Sequence, residues 1–333
     1  MRGNCLYIVV PCFNEEAALP ETARRLLYRL EELQGAGAVG TDSRIVFVDD
    51  GSKDATWKTV MELHRQDRRF LGLKLSRNRG QQNALLAGLL WAKDRADLVI
   101  SIDADLQDDP EAMDEMVAKY HSGCDIVYGV RRERKTDSFF KRVSAEAFYR
   151  LMNLLGAQTV FNHADYRLMS RRALQGLSAF REVNLFLRGI VPMIGFPSDT
   201  VLYDRQERTA GETKYPLHKM LSFAWTGITS VSLRPIRVIA WLGVCVFLVS
   251  IAMLVYVLVS FFSGHVVPGW SSVTVSLWAL GGLTLLSIGV VGEYIGKLYL
   301  EAKARPRYLI EEIADDREAG DAGEEKTECQ TDE

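Results

Sequence analysis

The sequence predicts an α/β protein: a domain built on a mostly parallel sheet, followed by an interfacial helix and two transmembrane helices. Three observations predict it. Residues 1–130 alternate short β-rich runs with segments whose apolar residues recur every three or four positions. The runs are continuously apolar, as in strands covered on both faces. Two later stretches, Val238 to Phe262 and Val273 to Val291, carry no charged residue.

The strands are expected in "LYIVV", "RIVFVDD", "LGLKL", "DLVISID" and "DIVYG". Helices are expected in "LPETARRLLYRLEEL", "ATWKTVMELHRQ", "QQNALLAGLLWAK" and "PEAMDEMVAKYH". The N-terminal "MRGNCLYIVVPCFNEE" reads as a first strand, not a signal peptide, because its apolar run is short and ends in Asn14, Glu15 and Glu16. From Arg131 a basic stretch, "RRERKTDSFFKRVSAEAFYR", leads into a helix; its cations form either a solvated face or a site for anions. "PLHKMLSFAWTGITSVSL" follows, with Leu217, Leu221, Trp225 and Ile228 at helical spacing. That amphipathic helix either packs on protein or lies in a membrane interface.

At 1.5 Å per residue the two uncharged stretches extend roughly 37 Å and 28 Å, against a hydrocarbon core of about 30 Å. They are expected to form a membrane hairpin. Arg234 and Arg237 precede it, Lys297, Lys303, Arg305 and Arg307 follow it, and the loop "SGHVVPGWSS" has no Lys or Arg. The positive-inside rule puts the N-terminal domain and the C-terminus in the cytoplasm. Gly289, Gly292 and Gly296 are spaced for close helix approach, which suggests a homo-oligomer; a tolerated bend is the alternative. The organisation expected is a domain over 1–215, a juxtamembrane helix over 216–235, the hairpin over 236–292, a cytoplasmic segment over 293–310 and an acidic disordered tail over 311–333.

The chain has 333 residues, 48% hydrophobic and 25% charged, with net charge −3, ample for one large domain or two. No nucleic-acid partner is expected. Cys5, Cys12, Cys124, Cys245 and Cys329 are scattered without a C-x-x-C, so neither a disulfide framework nor a zinc site is indicated.

The chemistry concentrates in "SIDADLQDDP", which places four aspartates just past an apolar strand. Parallel sheets bind ligands beyond the C-terminal strand ends, and "VDDGS" sits at another such end. An Asp-x-Asp there suits Mg2+ or Mn2+, which commonly join one or two carboxylates to substrate phosphates. Asp108 and Asp109, ahead of Pro110, are expected as helix N-cap and first-turn acids.

In this order, "VVPCFNEE", "VDDGSKDAT", "DADLQDDP" and "ADYRLMSRRAL" resemble the family 2 glycosyltransferases. The resemblance implies a single Rossmann-like nucleotide-sugar domain of the GT-A type. "RTAGETKY" followed by two apolar stretches is similar to the polyisoprenyl-phosphate branch, which includes dolichol-phosphate mannose synthases and bacterial bactoprenol glucosyltransferases. "RNRGQQNALLAGL", "NLFLRGIV" and "GVVGEYIGKLYLEAKARPRYLI" resemble the bacterial members.

By that resemblance Pro11, Asn14, Glu15, Asp49 and Asp50 line a nucleotide pocket, with an Asp accepting from uracil N3–H. Asp103, Asp105 and Gln107 hold Mg2+ or Mn2+ on the donor diphosphate. Arg208 and Lys214 close over the donor phosphates, with Gly211 permitting the turn. Asp165 occupies the catalytic-base position, and Arg131, Lys141, Arg142 and Ser144 meet the acceptor phosphate. The function expected is inverting transfer of one sugar, glucose from UDP-glucose, to undecaprenyl or another polyprenyl phosphate at the cytoplasmic leaflet of the cell membrane. The same reaction with GlcNAc or an aminoarabinose-type sugar, a processive synthase and a non-catalytic membrane scaffold are the alternatives. The synthase motif Q-x-x-R-W is missing: no Trp follows an Arg.

Overall fold

The computed structural model describes residues 3–105, 107–132, 163–183, 186–204, 234–263 and 269–316. The expectations for Lys141, Arg142, Ser144, Arg208, Gly211, Lys214, the interfacial helix up to residue 233 and the chain beyond 316 lie outside these residues.

Strand β1 (Leu6–Cys12) is buried along its whole length and runs through the middle of the sheet. It pairs in parallel with β2 (Arg44–Asp49) and with β4 (Leu98–Ser101), and β2 pairs in parallel with β3 (Phe70–Leu75). Alternation sorts β1 between two cores: Leu6, Ile8, Val10 and Cys12 face one, Tyr7 and Val9 the other. Helices α1 (Leu19–Gly35), α2 (Thr56–Gln66) and α4 (Ala112–His121) cover the first face. On the second lie α3 (Gln81–Ala92), α5 (Arg171–Ser178) and α6 (Leu187–Met193). Each fully buried Leu or Ile contributes about 1.5–3 kcal/mol. Gly88 lets α3 sit close on the sheet, since a Cβ there would lie 2.4 Å from Val9 Cγ1.

The other strands widen this core. Strand β6 (His163–Ser170) lies antiparallel between β4 and β5 (Ile126–Arg131), and β7 (Ser198–Tyr203) runs parallel to β5. At the opposite edge, β8 (Ile310–Ala314) pairs antiparallel with β3, giving the order β7-β5-β6-β4-β1-β2-β3-β8.

Strand β8 corrects the expected tail. Residues 311 to 314 belong to the sheet, and the boundary drawn at 310 cuts through a strand. Ile310 and Ile313 turn toward the second core. The acids between them find partners: Glu311 pairs with Lys74 at 3.3 Å, and Glu312 accepts from Trp57 Nε1 at 2.9 Å. An edge strand needs few apolar residues, because its backbone is satisfied by its neighbour.

The described chain divides into two compact units, the sheet domain with β8 and a pair of long helices. The helices are α7 (Arg234–Phe262) and α8 (Trp270–Ala302). They cover both stretches expected to span. Among the described residues, Ala279–Ala302 is long and apolar enough to cross a membrane, and Val238–Met253 is a shorter apolar run. A second crossing therefore rests on the sequence. A Cβ added at Gly289, Gly292 or Gly296 meets nothing within 4 Å among the described residues.

Replacing Ile313 by Asp sets a carboxylate against the sheet beside Leu73. The expected cost is about 1–3 kcal/mol, read as a lower midpoint in urea unfolding. An unchanged midpoint would mean that β8 adds nothing to the domain.

Candidate active site

Because β4, β1, β2 and β3 are parallel, their C-terminal ends share one edge, and the loop after each contributes to one site. The loops are laced together by backbone donors. Asn14, at φ 55, donates its N–H to Ser52 Oγ at 3.0 Å and accepts from Lys53 N at 2.9 Å through Oδ1. The Asp50 carboxylate accepts from Arg79 N at 2.7 Å and Gly80 N at 2.8 Å. Gly51 permits that approach: its φ is 66, and a Cβ would sit 2.6 Å from the Arg77 carbonyl carbon.

A cavity of about 380 Å³ opens between these loops, with Pro11, Phe13, Glu15, Asp50, Asp103 and Asp105 on its wall. Asp49 does not line it. That aspartate is fully buried, its Oδ1 accepts from Ser52 N at 3.1 Å, and its Oδ2 has no hydrogen-bond partner among the described residues. Desolvation raises the pKa of both Asp49 and Asp50. Asn14 also stays off the wall, as an exposed latch between the first two loops.

Asp103 accepts from Gln81 Nε2 at 2.7 Å, and Asp105 Oδ1 accepts from Gln107 N at 3.2 Å. Gln107 is buried and absent from the wall. Burial first, then the charges of Asp165, Asp108 and Asp105, push Asp103 up to about 7, with Arg131 opposing. A group of carboxylates at the cavity suits a divalent ion. Among the described residues no three His, Cys, Asp or Glu side chains form a ready-made cage. One or two carboxylates completed by substrate phosphates is the donor set that Mg2+ ordinarily uses, so the residues fit.

Strand β6 brings Asp165 to the same place. Ser101 of β4 pairs with Arg167, so two residues further on Asp103 comes level with Asp165. Ser101 Oγ donates to the Asp165 carbonyl at 2.5 Å. The Asp165 carboxylate is gripped by two arginines, Arg167 Nη2 at 2.7 Å and Arg188 through Nε and Nη2, both at 3.1 Å. Beside it, Arg131 and Tyr203 are partners on β5 and β7, and both donate to Asp108 Oδ1, at 3.0 Å and 2.6 Å. Burial disfavours the Arg131 charge, but Asp108 and Tyr203 outweigh it and hold the guanidinium protonated. Asp108 is thus no N-cap, which corrects the expectation: the α4 cap is Glu111, and Asp109 Oδ1 accepts the Glu111 N–H at 3.1 Å.

Glycosyl transferase family 2 matches residues 7–177, half of the chain, across β1 to β6 and the acidic loop. The chain belongs to glycosyltransferase family 2. The GtrB C-terminal hairpin matches residues 234–298 of the same glycosyltransferase. Over 306 residues it is 54% identical to the uncharacterized glycosyltransferase YkoT of Bacillus subtilis (strain 168), covering 92% of this chain and 91% of that one. It is 40% identical over 305 residues to the bactoprenol glucosyl transferase of Shigella phage SfX, covering 91% and 97%. Among solved structures, the mannosyltransferase PcManGT from Pyrobaculum calidifontis, in complex with GDP-Man and Mn2+, superposes with TM-score 0.42 at 17% identity, covering 91% of this chain and 86% of that one.

Within this family 2 glycosyltransferase the structure gathers Pro11, Glu15, Asp50, Asp103 and Asp105 on one wall. Asp165 and Arg131 stand off that wall, within the electrostatic reach of Asp103. Sequence reasoning missed Gln81, Arg188, Asp108 and Tyr203. A signal existed for the first two: "RNRGQQNALLAGL" follows a strand end, and "NLFLRGIV" was part of the resemblance.

A raised carboxylate pKa means that the folded state favours the proton. Stability is therefore lost as pH rises from the unfolded value near 4 through the folded value. In EDTA, Asp103→Asn, which keeps an acceptor for Gln81, should raise the Tm of this glycosyltransferase at pH 8. The gain should shrink as pH falls toward about 4. A pH-independent difference in Tm would refute the crowding of charge.

Proposed function

We propose that this glycosyltransferase moves a single glucose from UDP-glucose to undecaprenyl phosphate, or another polyprenyl phosphate, with inversion at the cytoplasmic leaflet. The observation that carries the reading is the cavity whose wall joins Asp50 and Glu15 to the Asp103 and Asp105 pair. The first pair suits a nucleoside and the second a metal-bound diphosphate. Relatives named bactoprenol glucosyl transferase, at about 40% identity across nearly the whole chain, support the acceptor class.

Asp50 is the aspartate of "VDD" that reaches the cavity, so the uracil N3–H falls to it, with Asp49 buried behind the loop. Asp103 and Asp105 would hold Mg2+ or Mn2+, with Gln107 bracing Asp105 through its backbone N–H. Such an ion, when bound, neutralises the charge that develops on the leaving diphosphate. Arg208 and Lys214, with Gly211 at the turn, would cover the donor phosphates. Lys141, Arg142 and Ser144 would join Arg131 at the acceptor. A lipid acceptor requires membrane association, and the apolar helix Ala279–Ala302 supports it.

The deciding measurement incubates membranes containing the protein with a panel of labelled UDP-sugars and undecaprenyl phosphate. Glucose is expected on the lipid. GlcNAc or an aminoarabinose-type product would replace the sugar assignment, and no lipid product would overturn the function. Asp105→Asn should lower turnover about 10²-fold or more. EDTA should inactivate the wild type, with Mg2+ or Mn2+ restoring it, and full activity in EDTA would exclude the metal.

The orientation has its own test. With both hairpin helices crossing, a cysteine at Ser271 should react with an impermeant thiol reagent outside intact cells, and Cys329 should not. Labelling of Cys329 from outside would invert the topology.

A further inference from the structure

Asp165 stands where a base is expected, yet its carboxylate is already committed. Arg167 is wholly buried and meets it at 2.7 Å. Arg188 adds a second guanidinium in a two-point grip, with 32% of its side chain exposed. A guanidinium has five N–H donors. Among the described residues Arg188 donates only to Asp165, through two of them. The remainder have no partner among the described residues.

The neighbourhood of Arg188 is fixed by α3. Adjacent residues there hold two parts of the site: Gln81 donates to Asp103 at 2.7 Å, and Gln82 accepts the N–H of Leu187, next to Arg188, at 3.1 Å. Neither Arg188 nor Arg131 lines the cavity, whereas Asp103 does, and both guanidiniums feel its charge. The Arg131 arrangement repeats the pattern, with a part-exposed arginine held by a buried carboxylate, Asp108. Arg188 also feels the charge of Arg131, so the two guanidiniums belong to one neighbourhood. Arginine matches a phosphate with two parallel N–H donors, which a lysine cannot do.

We propose that Arg188 joins Arg131, already assigned to the acceptor, in seating its phosphate, and that Asp165 and Asp108 are positioning residues that aim the two guanidiniums. The inference deepens the proposed function and rests on its acceptor being a phosphate monoester. Such an acceptor needs little help from a base, because its second pKa is about 6 and it is mostly a dianion near pH 7. Asp165 can then spend its charge on Arg188.

The test uses the full-length protein in phosphatidylethanolamine and phosphatidylglycerol vesicles. Undecaprenyl phosphate is varied at saturating UDP-glucose, and then the reverse. Arg188→Gln should raise the acceptor KM about 10-fold or more, the loss expected for a hydrogen bond to a charged group, and leave the donor KM within about twofold. Arg188→Lys should recover only part of the loss. Asp165→Asn should also act mainly on acceptor KM, whereas removal of a general base lowers kcat by about 10²–10⁴-fold at saturating acceptor. Should Asp165→Asn fail to fold, the part-exposed Arg188 variants carry the test, with Tm as the check on folding. An unchanged acceptor KM in Arg188→Gln, or a change confined to the donor KM, overturns the seat and leaves the proposed function standing. A wild type that transfers nothing to undecaprenyl phosphate overturns both.

Discussion

Parallel pairing of β1 with β2 and β4, and of β2 with β3, is the constraint on which the site depends. It turns four separate loops toward one edge, where their exposed backbone N–H groups and side chains can meet. Nothing in a single loop makes a pocket. The Asp50 carboxylate reaches the backbone of the next loop at Arg79 and Gly80, and Asn14 reaches the second loop at Ser52 and Lys53. Each contact satisfies a donor that the loop would otherwise leave to water. The cavity wall is thereby held before any ligand arrives, which lowers the ordering cost of binding.

Where the parallel core meets β6 the problem becomes electrostatic. Asp103, Asp105, Asp108 and Asp165 are near enough for their charges to raise the Asp103 pKa together. The protein answers with guanidiniums at two of them, Arg131 on Asp108 and Arg167 with Arg188 on Asp165. Asp103 and Asp105 lie on the cavity wall, where Asp103 accepts from Gln81. Breaking a buried pair by removing one partner typically costs about 3–5 kcal/mol. That cost favours keeping each arginine in its place. The distribution separates carboxylates that brace arginines from carboxylates on the cavity wall.

The returning strand β8 shows how little apolar content a sheet edge requires. Two isoleucines, the Lys74 and Glu311 pair and the Trp57 to Glu312 hydrogen bond hold an acid-rich segment on β3. Covering that edge moves the unpaired backbone row from β3 to an acid-rich strand, whose charges discourage association. Composition averaged over the tail hides this, because the pairing partner lies more than two hundred residues earlier in the chain.

Much of the core was legible. Five strands and four helices announce themselves through short continuously apolar runs and three-to-four-residue spacing, which are local properties of the sequence. Asp103 and Asp105 were legible for the same reason, since an acidic pair after a buried strand marks a C-terminal sheet end. The family resemblance added Asp165 and Arg131 as positions, without their partners. Those partners were decided by tertiary structure. Arg131 and Asp108, like Arg188 and Asp165, lie 23 residues apart in sequence. They meet because β6 enters antiparallel between β4 and β5 and α3 anchors the start of α6. Side-chain period specifies a strand and the face each residue takes. It is silent on which strand lies alongside, and so on which charge a buried aspartate will find.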